Sequence, residues 1–270
     1  MTAVAPPRRA TPSARPKKPR PSIPLIVGII AAIGITIWAG IGIEFTLLPL
    51  ITDIGRGAPI IEGFLAPNWG FTFRVWDAWV ETLSIAVLAS LVGCGIALVL
   101  SFLASKVTAR NPIVFRVSRF VLSLIRSLPD IAYGLIFVAA VGIGSLAGTL
   151  ALIMFNIGVC AKLTSETIDG IDPGPLEAAD ASGAGVFQRS RSAVLPQILP
   201  SYFSYSFYVF ELNIRASVVI GLVGGGGIGQ VIRVQMGRFS YENLSAIIIT
   251  LFVIVFALDV ASRAIRRRLI

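Results

Sequence analysis

The sequence predicts an all-α integral membrane protein with six transmembrane helices. Of its 270 residues, 55% are hydrophobic and only 14% are charged, whereas a soluble domain carries about a quarter charged residues. Long segments without any charge recur along the chain, and basic residues cluster at their ends. About 20 apolar residues per crossing leave room for roughly six crossings in a chain of this length.

The first part of the chain predicts a tail, a crossing and a loop. Residues 1–22 are rich in proline and carry six basic residues without an acidic one, so we expect a disordered cytoplasmic tail. Residues 23–43 carry no charge and span about 30 Å as a helix, which predicts the first transmembrane helix. Residues 44–77 mix charges, prolines and glycines, and three tryptophans lie near their end. This composition predicts an extracytoplasmic loop with interfacial anchors.

Residues 78–265 predict a core of five further crossings. The uncharged segment 83–103 is followed by basic residues, which places its end inside. A third crossing begins near Pro112, continues past Pro129 and ends near residue 141. A glycine-rich outside turn, marked by Gly142, Gly144 and Gly148, separates it from the fourth crossing, which we expect to end near Lys162.

The last third of the chain predicts an inside loop and two more crossings. Residues 162–195 are polar and fall inside by the count of crossings. The fifth crossing is predicted at about 197–222 and the sixth at about 244–261. Basic clusters then lie at both chain ends, and an even number of crossings places both termini in the cytoplasm, as the positive-inside rule requires.

Several function classes find no residues to support them. The chain has no histidine, the usual general base and the commonest metal ligand, so we expect neither catalysis nor a metal site. Cys94 and Cys160 lie far apart in apolar segments and are interpreted as small buried hydrophobes. None of the four lysines follows a glycine, which excludes a P-loop. The net charge of +9 is explained by topology signals, so no nucleic-acid partner is expected. No cofactor is expected either.

The inside loop between residues 172 and 196 carries the most specific motif. Two prolines end the preceding helix, and Asp172 or Gly174 can cap a new short one, whose first turns favour acidic residues. Small side chains on this helix leave a thin surface that another protein can approach closely. The helix carries Glu177, Ala178, Ala179 and Gly183, and the segment ends at Leu195 and Pro196.

This pattern resembles the EAA loop in the permeases of ATP-binding-cassette importers. Ala193 departs from that pattern, since the family usually has isoleucine there. The resemblance implies a methionine-permease-like fold, that of type I importers, in which this loop forms a coupling helix that docks on an ATPase subunit. It also implies a homodimer, two separate cytoplasmic ATPase subunits and an extracytoplasmic binding protein. The implied location is the bacterial plasma membrane, with the lipid bilayer as surroundings.

Three further segments are similar to phosphonate-import permeases. They cover residues 126–130, 171–178 and 210–229. The resemblance implies phosphonate as the substrate; phosphate, phosphite or another small solute fits the same core. A secondary transporter without an ATPase is the less favoured alternative, because no internal repeat is visible. A membrane enzyme lacks a catalytic set.

Four ionisable residues fall at membrane depth: Arg126, Asp130, Glu211 and Arg215. Charges there are costly, so each is expected to be paired or to face water. Glu211 and Arg215 are one helical turn apart and can pair; Arg126 and Asp130 have the same spacing, which Pro129 disturbs. Two interpretations stay open: structural pairing, or a polar translocation path for an anionic substrate.

Asp259, near the inner end of the last crossing, is expected to pair with Arg263.

A glycine-rich segment follows the fifth crossing. Gly224, Gly226 and Gly229 satisfy G-x-G-x-x-G, but a nucleotide site needs a strand before that motif and a helix after it. We therefore predict irregular backbone that lines a cavity. The resemblance to importer permeases implies that this segment lies near the outer mouth, beside the docked binding protein.

Overall fold

The computed structural model describes residues 22–52 and 54–266, and every regular element in these ranges is a helix. The chain divides into two compact units, residues 1–57 and 58–270. The tail predicted at residues 1–22 lies outside the described residues except for Ser22.

The first unit contains the first predicted crossing. Helix α1 (Ile23–Gly42) starts with a proline in its first turn and is apolar along its whole length. Its isoleucine, leucine and tryptophan side chains are exposed on all sides, which suits a helix surrounded by lipid. The helix ends where Glu44 takes a positive φ of 51°.

The predicted loop at 44–77 contains helices. These are α2 (Leu48–Thr52), α3 (Ile54–Leu65) and α4 (Trp69–Arg74), and α5 (Trp76–Leu103) already begins before residue 77. Short helices satisfy backbone hydrogen bonds locally, which an irregular chain near a membrane does less well. The extracytoplasmic side of this segment stays a prediction.

Small residues let the central helices approach closely. Helix α8 (Ser145–Asp169) packs along α5, and a Cβ atom on Gly93 of α5 would come within 2.6 Å of the Cβ of Asn156. Ala89 and Ala97 of α5 are fully buried in the same bundle. Such small-residue contacts are the usual basis of helix association in membranes, where burial of apolar surface gives no driving force. Helix α8 extends beyond Lys162 to Asp169, further than the sequence predicted.

The third crossing is bent. Helices α6 (Pro112–Ser127) and α7 (Asp130–Val141) meet at an angle of 88°. Pro129 cannot continue a helix and holds Leu128 in an extended conformation with ψ of 135°. The Tyr133 hydroxyl donates to the Ile125 carbonyl at 2.8 Å, so one carbonyl freed by the break keeps a partner.

The remaining helices complete the bundle. After α9 (Gly174–Ala181), α10 (Val186–Arg189) and a π-helical turn (Ser190–Val194) come α11 (Leu195–Leu222), α12 (Gly227–Gly237) and α13 (Tyr241–Arg266). Among the described helices, four are long and apolar enough to cross a membrane. The count reaches the predicted six when each of the two bent pairs is one crossing.

Candidate coupling hairpin and translocation path

The inside loop folds into a helical hairpin, hereafter the coupling hairpin (residues 172–196). Asp172 Oδ1 accepts a hydrogen bond from the Gly174 amide at 2.9 Å, at the first turn of α9. The chain turns after Ser182, and α10 and the π-helical turn lead back into α11 without a break. The short helix that the prolines and acidic residues predict is therefore present.

An apolar cluster anchors the coupling hairpin to the helix bundle. Leu176 is the buried residue of α9, and it packs with Ile168 of α8 and Val194 and Ile198 beyond the turn. Leu98 and Phe102, near the end of α5, pack against the same cluster. This cluster therefore packs α9 against α5, α8 and α11.

The opposite side of α9 is open. Glu177, Ala178 and Gly183 are exposed, and Ala179 is half-buried against the anchor. Phe187, just beyond the turn, has 77% of its surface exposed. Sequence reasoning missed Phe187, although an aromatic residue in an otherwise polar loop was a visible signal.

Gly183 has a conformational role. Its φ is +74°, and the Ala184 amide donates to the Ala179 carbonyl at 3.0 Å while the Gly183 amide donates to Asp180. This is the helix C-terminal motif in which a residue with positive φ closes the last turn, and glycine does so at the lowest cost. No side chain or backbone atom lies within 4 Å of a Cβ built there.

Two polar junctions brace the base of the coupling hairpin. Arg189 Nε lies 3.1 Å from Asp180 Oδ1, an ion pair without hydrogen-bond alignment at that nitrogen, and Arg189 Nη1 donates to the Val107 carbonyl at 3.5 Å. Asp169, at the end of α8, accepts from Ser105 Oγ and the Lys106 amide, both at 2.7 Å, and from Arg119 at 2.6 Å. The end of α8 is thus tied to the middle of α6 and to the segment that follows α5. Sequence alone did not indicate these partners.

The Glu211–Arg215 pair forms on α11, as the spacing predicts. The Glu211 side chain is 8% exposed and that of Arg215 is 53% exposed. A second arginine, Arg266 in the last turn of α13, places Nη2 3.3 Å from the other Glu211 oxygen. Sequence reasoning missed Arg266 because the two residues are far apart in the chain.

Arg126 and Asp130 do not form an ion pair in the described part of the chain. The bend between α6 and α7 separates them, and Asp130 Oδ1 accepts from the amide of the next residue, Ile131, at 2.8 Å. Arg126 is exposed at the end of α6, and its Cγ covers Gly158 of α8. A role for either residue in translocation stays a prediction.

One face of α11 is both exposed and polar. Tyr208, Arg215 and Val219 are exposed at helical spacing, and Tyr205 lies one turn below Tyr208 on the same face. The Tyr205 hydroxyl lies 2.9 Å from Thr167 Oγ1 of α8. A guanidinium and two phenol groups on one face suit contact with water or a polar ligand rather than with lipid.

The glycine segment after α11 is packed among helices. Gly224 and Gly226 have φ values of 107° and 83°, so the backbone is irregular as predicted, but both are buried together with Gly229. A Cβ on Gly229 would lie 2.1 Å from the Val218 carbonyl oxygen. These glycines therefore permit close backbone contact instead of lining an open cavity, and their place at an outer gate stays a prediction.

The two cysteines are buried, as predicted. Cys94 of α5 and Cys160 of α8 belong to one apolar cluster. Their place in the same cluster depends on how α5 packs against α8, which the sequence does not show.

A helical membrane bundle with an exposed coupling hairpin is the architecture of importer permeases driven by ATP-binding-cassette subunits. The family described as "Binding-protein-dependent transport system inner membrane component" matches residues 97–270, and the chain belongs to that family. It is a multi-pass permease of the bacterial inner membrane.

Relatives support this family, and a solved structure supports the fold. The chain is 36% identical over 220 residues to the phosphite transport system permease protein PtxC of Stutzerimonas stutzeri, covering 80% of each chain. It is 34% identical over 239 residues to the phosphate-import permease protein PhnE of Mycolicibacterium smegmatis; the match covers 88% of this chain but only 45% of that relative. The inward-facing MetNI methionine transporter matches with a TM-score of 0.64 at 22% identity, over 74% of this chain and 97% of the other, which supports the type I fold.

Proposed function

We propose that this chain is the membrane-spanning subunit of an importer for a small phosphorus oxyanion, with a phosphonate as the first candidate. Two copies of the chain enclose the path, two separate cytoplasmic ATPase subunits drive it, and an extracytoplasmic binding protein delivers the substrate. The observation that carries this proposal is the coupling hairpin: an exposed helix of small residues on a buried apolar anchor.

The substrate class is supported by two independent facts. Relatives are described as permeases for phosphite and phosphate, both tetrahedral phosphorus oxyanions like a phosphonate. In addition, the exposed face of α11 presents Arg215, and guanidinium groups match the geometry of such anions. Phosphite and phosphate are the competing substrates.

The architecture suggests how ATP hydrolysis elsewhere moves this chain. An ATPase subunit docks on the exposed side of α9 and the turn that follows it, through Glu177, Ala178 and Gly183, with the half-buried Ala179 beside them and Phe187 as an apolar contact. Closure of the two ATPase subunits displaces α9. The Leu176 anchor and the Arg189 junction carry this displacement to the inner ends of α5, α8 and α11, and access to the path alternates between the two sides.

The Gly183→Val variant tests the coupling hairpin. A β-branched residue at φ +74° is strained by roughly 1–2 kcal/mol, which opens the last turn of α9 and misplaces its docking surface. We expect normal membrane insertion but a loss of binding-protein-stimulated ATPase activity of about fivefold to thirtyfold in the reconstituted importer, since 1.36 kcal/mol corresponds to one power of ten.

Two matched variants separate conformation from side-chain size. Gly183→Asn should retain most coupling, because asparagine tolerates positive φ. Gly185→Ala should resemble the wild type, because a Cβ there meets only Gln188 Oε1 at 3.9 Å. Full coupling in Gly183→Val would contradict the docking role. Loss of coupling in Gly185→Ala would show that the assay does not resolve the conformational effect.

A further inference from the structure

Glu211 is held by two arginines that come from different helices. One carboxylate oxygen contacts Nη2 of Arg215 on α11, and the other lies 3.3 Å from Nη2 of Arg266 on α13. One negative and two positive charges leave the cluster with a net charge of +1. Glu211 therefore neutralises only one of the two arginines.

Most donors of the two guanidinium groups remain available. An arginine offers five N–H donors, and within residues 22–52 and 54–266 the side-chain hydrogen bonds of Arg215 and Arg266 go only to Glu211, through Nη2 in each case. The Arg215 side chain is 53% exposed and that of Arg266 is 23% exposed. The buried Glu211 thus holds both arginines in place while their other nitrogens can reach a ligand.

The position of the cluster favours an anionic ligand over lipid tails. Arg215 continues the exposed face of α11 that carries Tyr208, and the apolar Val219 lies one turn beyond it. An exposed guanidinium surrounded by hydrocarbon is strongly unfavourable, so we expect this face to lie against water, an anion or the second copy of the chain instead of lipid. An uncompensated positive charge in a site partly removed from water attracts an anion more strongly than it does in bulk water.

We propose that Arg215 and Arg266 form a binding site for a tetrahedral phosphorus oxyanion, with Glu211 as the resident counter-ion. This inference rests on the proposed function and identifies one position on the translocation path at which the substrate binds. The two guanidinium groups donate to the oxyanion, while Glu211 competes for the same cations and keeps binding weak. Weak binding suits a path, because a tight site retains what it should release. Since the arginines belong to α11 and α13, the affinity depends on the separation of these two helices.

The test measures oxyanion binding to the full-length permease in phosphorus-free maltoside micelles. Binding is detected as broadening of the ³¹P NMR lines of phosphite and methylphosphonate. Arg266→Gln removes the excess positive charge and should weaken binding by about tenfold or more, the effect of losing a hydrogen bond to a charged group. Glu211→Gln removes the competing anion and should strengthen binding while slowing release into the cytoplasm. Opposite effects of these two variants are not expected from a purely structural cluster.

Arg263→Gln is the matched control. Arg263 lies on the same face of α13, one turn earlier, and pairs with Asp259 at 2.5 Å instead of with Glu211. It should bind both anions like the wild type. Equal weakening in Arg263→Gln and Arg266→Gln, or wild-type binding in a folded Arg266→Gln protein, would overturn the site. Arg266→Lys, which keeps the charge, should recover part of the affinity.

Two further measurements complete the test. The first distinguishes a lipid headgroup from a free oxyanion as the ligand, and the second distinguishes failure of the site from failure of the proposed function. Short-chain phosphatidylglycerol that binds without competition from phosphite would assign the arginines to a lipid headgroup and overturn the path site. Uptake by the complete importer is measured in parallel. Wild-type uptake by Arg266→Gln overturns the site and leaves the proposed function intact. Absence of uptake of every phosphorus oxyanion by the wild-type importer overturns the proposed substrate instead.

Discussion

Replacing Gly229 with alanine is expected to destabilise the permease severely. The added Cβ would lie 2.1 Å from the Val218 carbonyl oxygen and 2.8 Å from the Gly221 Cα. Both atoms belong to the backbone of α11, so relief requires separating α11 from α12. We expect a cost of about 3 kcal/mol, at the upper end for overpacked sites. The midpoint of thermal unfolding in maltoside should fall by roughly 10 °C, given a few degrees per kcal/mol for a chain of this size.

Gly237→Ala is the control for the Gly229 variant. Gly237 belongs to the same helix, α12, but nothing lies within 4 Å of a Cβ built there. Alanine should therefore be neutral or stabilising by about 0.5–1 kcal/mol, because it restricts the unfolded chain more than glycine does. A Gly229→Ala protein with the stability of the wild type would contradict the close approach of α11 and α12.

Replacing Asp169 with alanine should disrupt the base of the coupling hairpin. The change leaves Ser105 Oγ, the Lys106 amide and Arg119 Nη2 without their shared acceptor, and Ser105 is fully buried. Unsatisfied donors of this kind cost about 1–3 kcal/mol each when water cannot reach them. Because Arg119 is partly exposed and Lys106 is exposed, we expect about 2–4 kcal/mol in total. Thermal unfolding measures this loss.

Glu166→Ala is the matched control for Asp169. Glu166 lies one turn earlier on α8 and pairs with Lys162 at 2.5 Å, but its side chain is 53% exposed. Removing an exposed pair costs roughly 0.2–1 kcal/mol. Equal destabilisation by the two variants would show that the Asp169 junction contributes no more than a surface ion pair. Coupled ATPase activity should also fall in Asp169→Ala and remain in Glu166→Ala, because Asp169 makes hydrogen bonds to Ser105 and Lys106, beside the Val107 carbonyl that Arg189 contacts, whereas Glu166 pairs only with Lys162 among the described ion pairs.

Local features of the sequence were sufficient for the crossings and for the coupling hairpin. Uncharged segments predict α1, α5, α8 and α13 because a membrane-spanning helix satisfies its backbone hydrogen bonds within itself, so length and composition are enough. The coupling hairpin was predictable for a similar reason. Pro173, Pro175 and Gly183 act on their own backbone, and their effects do not depend on distant contacts.

Contacts between helices were not predictable in this way. The sequence located Glu211 and Arg215 as a pair, but the third member, Arg266, is brought to Glu211 by the packing of α13 against α11. The Asp169 junction arises in the same manner. The glycine segment was predicted to be irregular, yet its burial follows from the close approach of α5, α8 and α11.

The sequence by itself determined where the apolar helices of this chain lie, which polar loop folds into a short helical hairpin, and which charges need a partner. Only the tertiary structure decided which residues those partners are, how sharply the third crossing bends, and that the glycines after α11 permit close backbone contact and do not line a cavity. The physical reason is the distance along the chain over which each effect acts. Hydrophobicity, proline and positive φ act within a few residues, whereas ion pairs and close helix contacts depend on the distance between segments that are far apart in the chain.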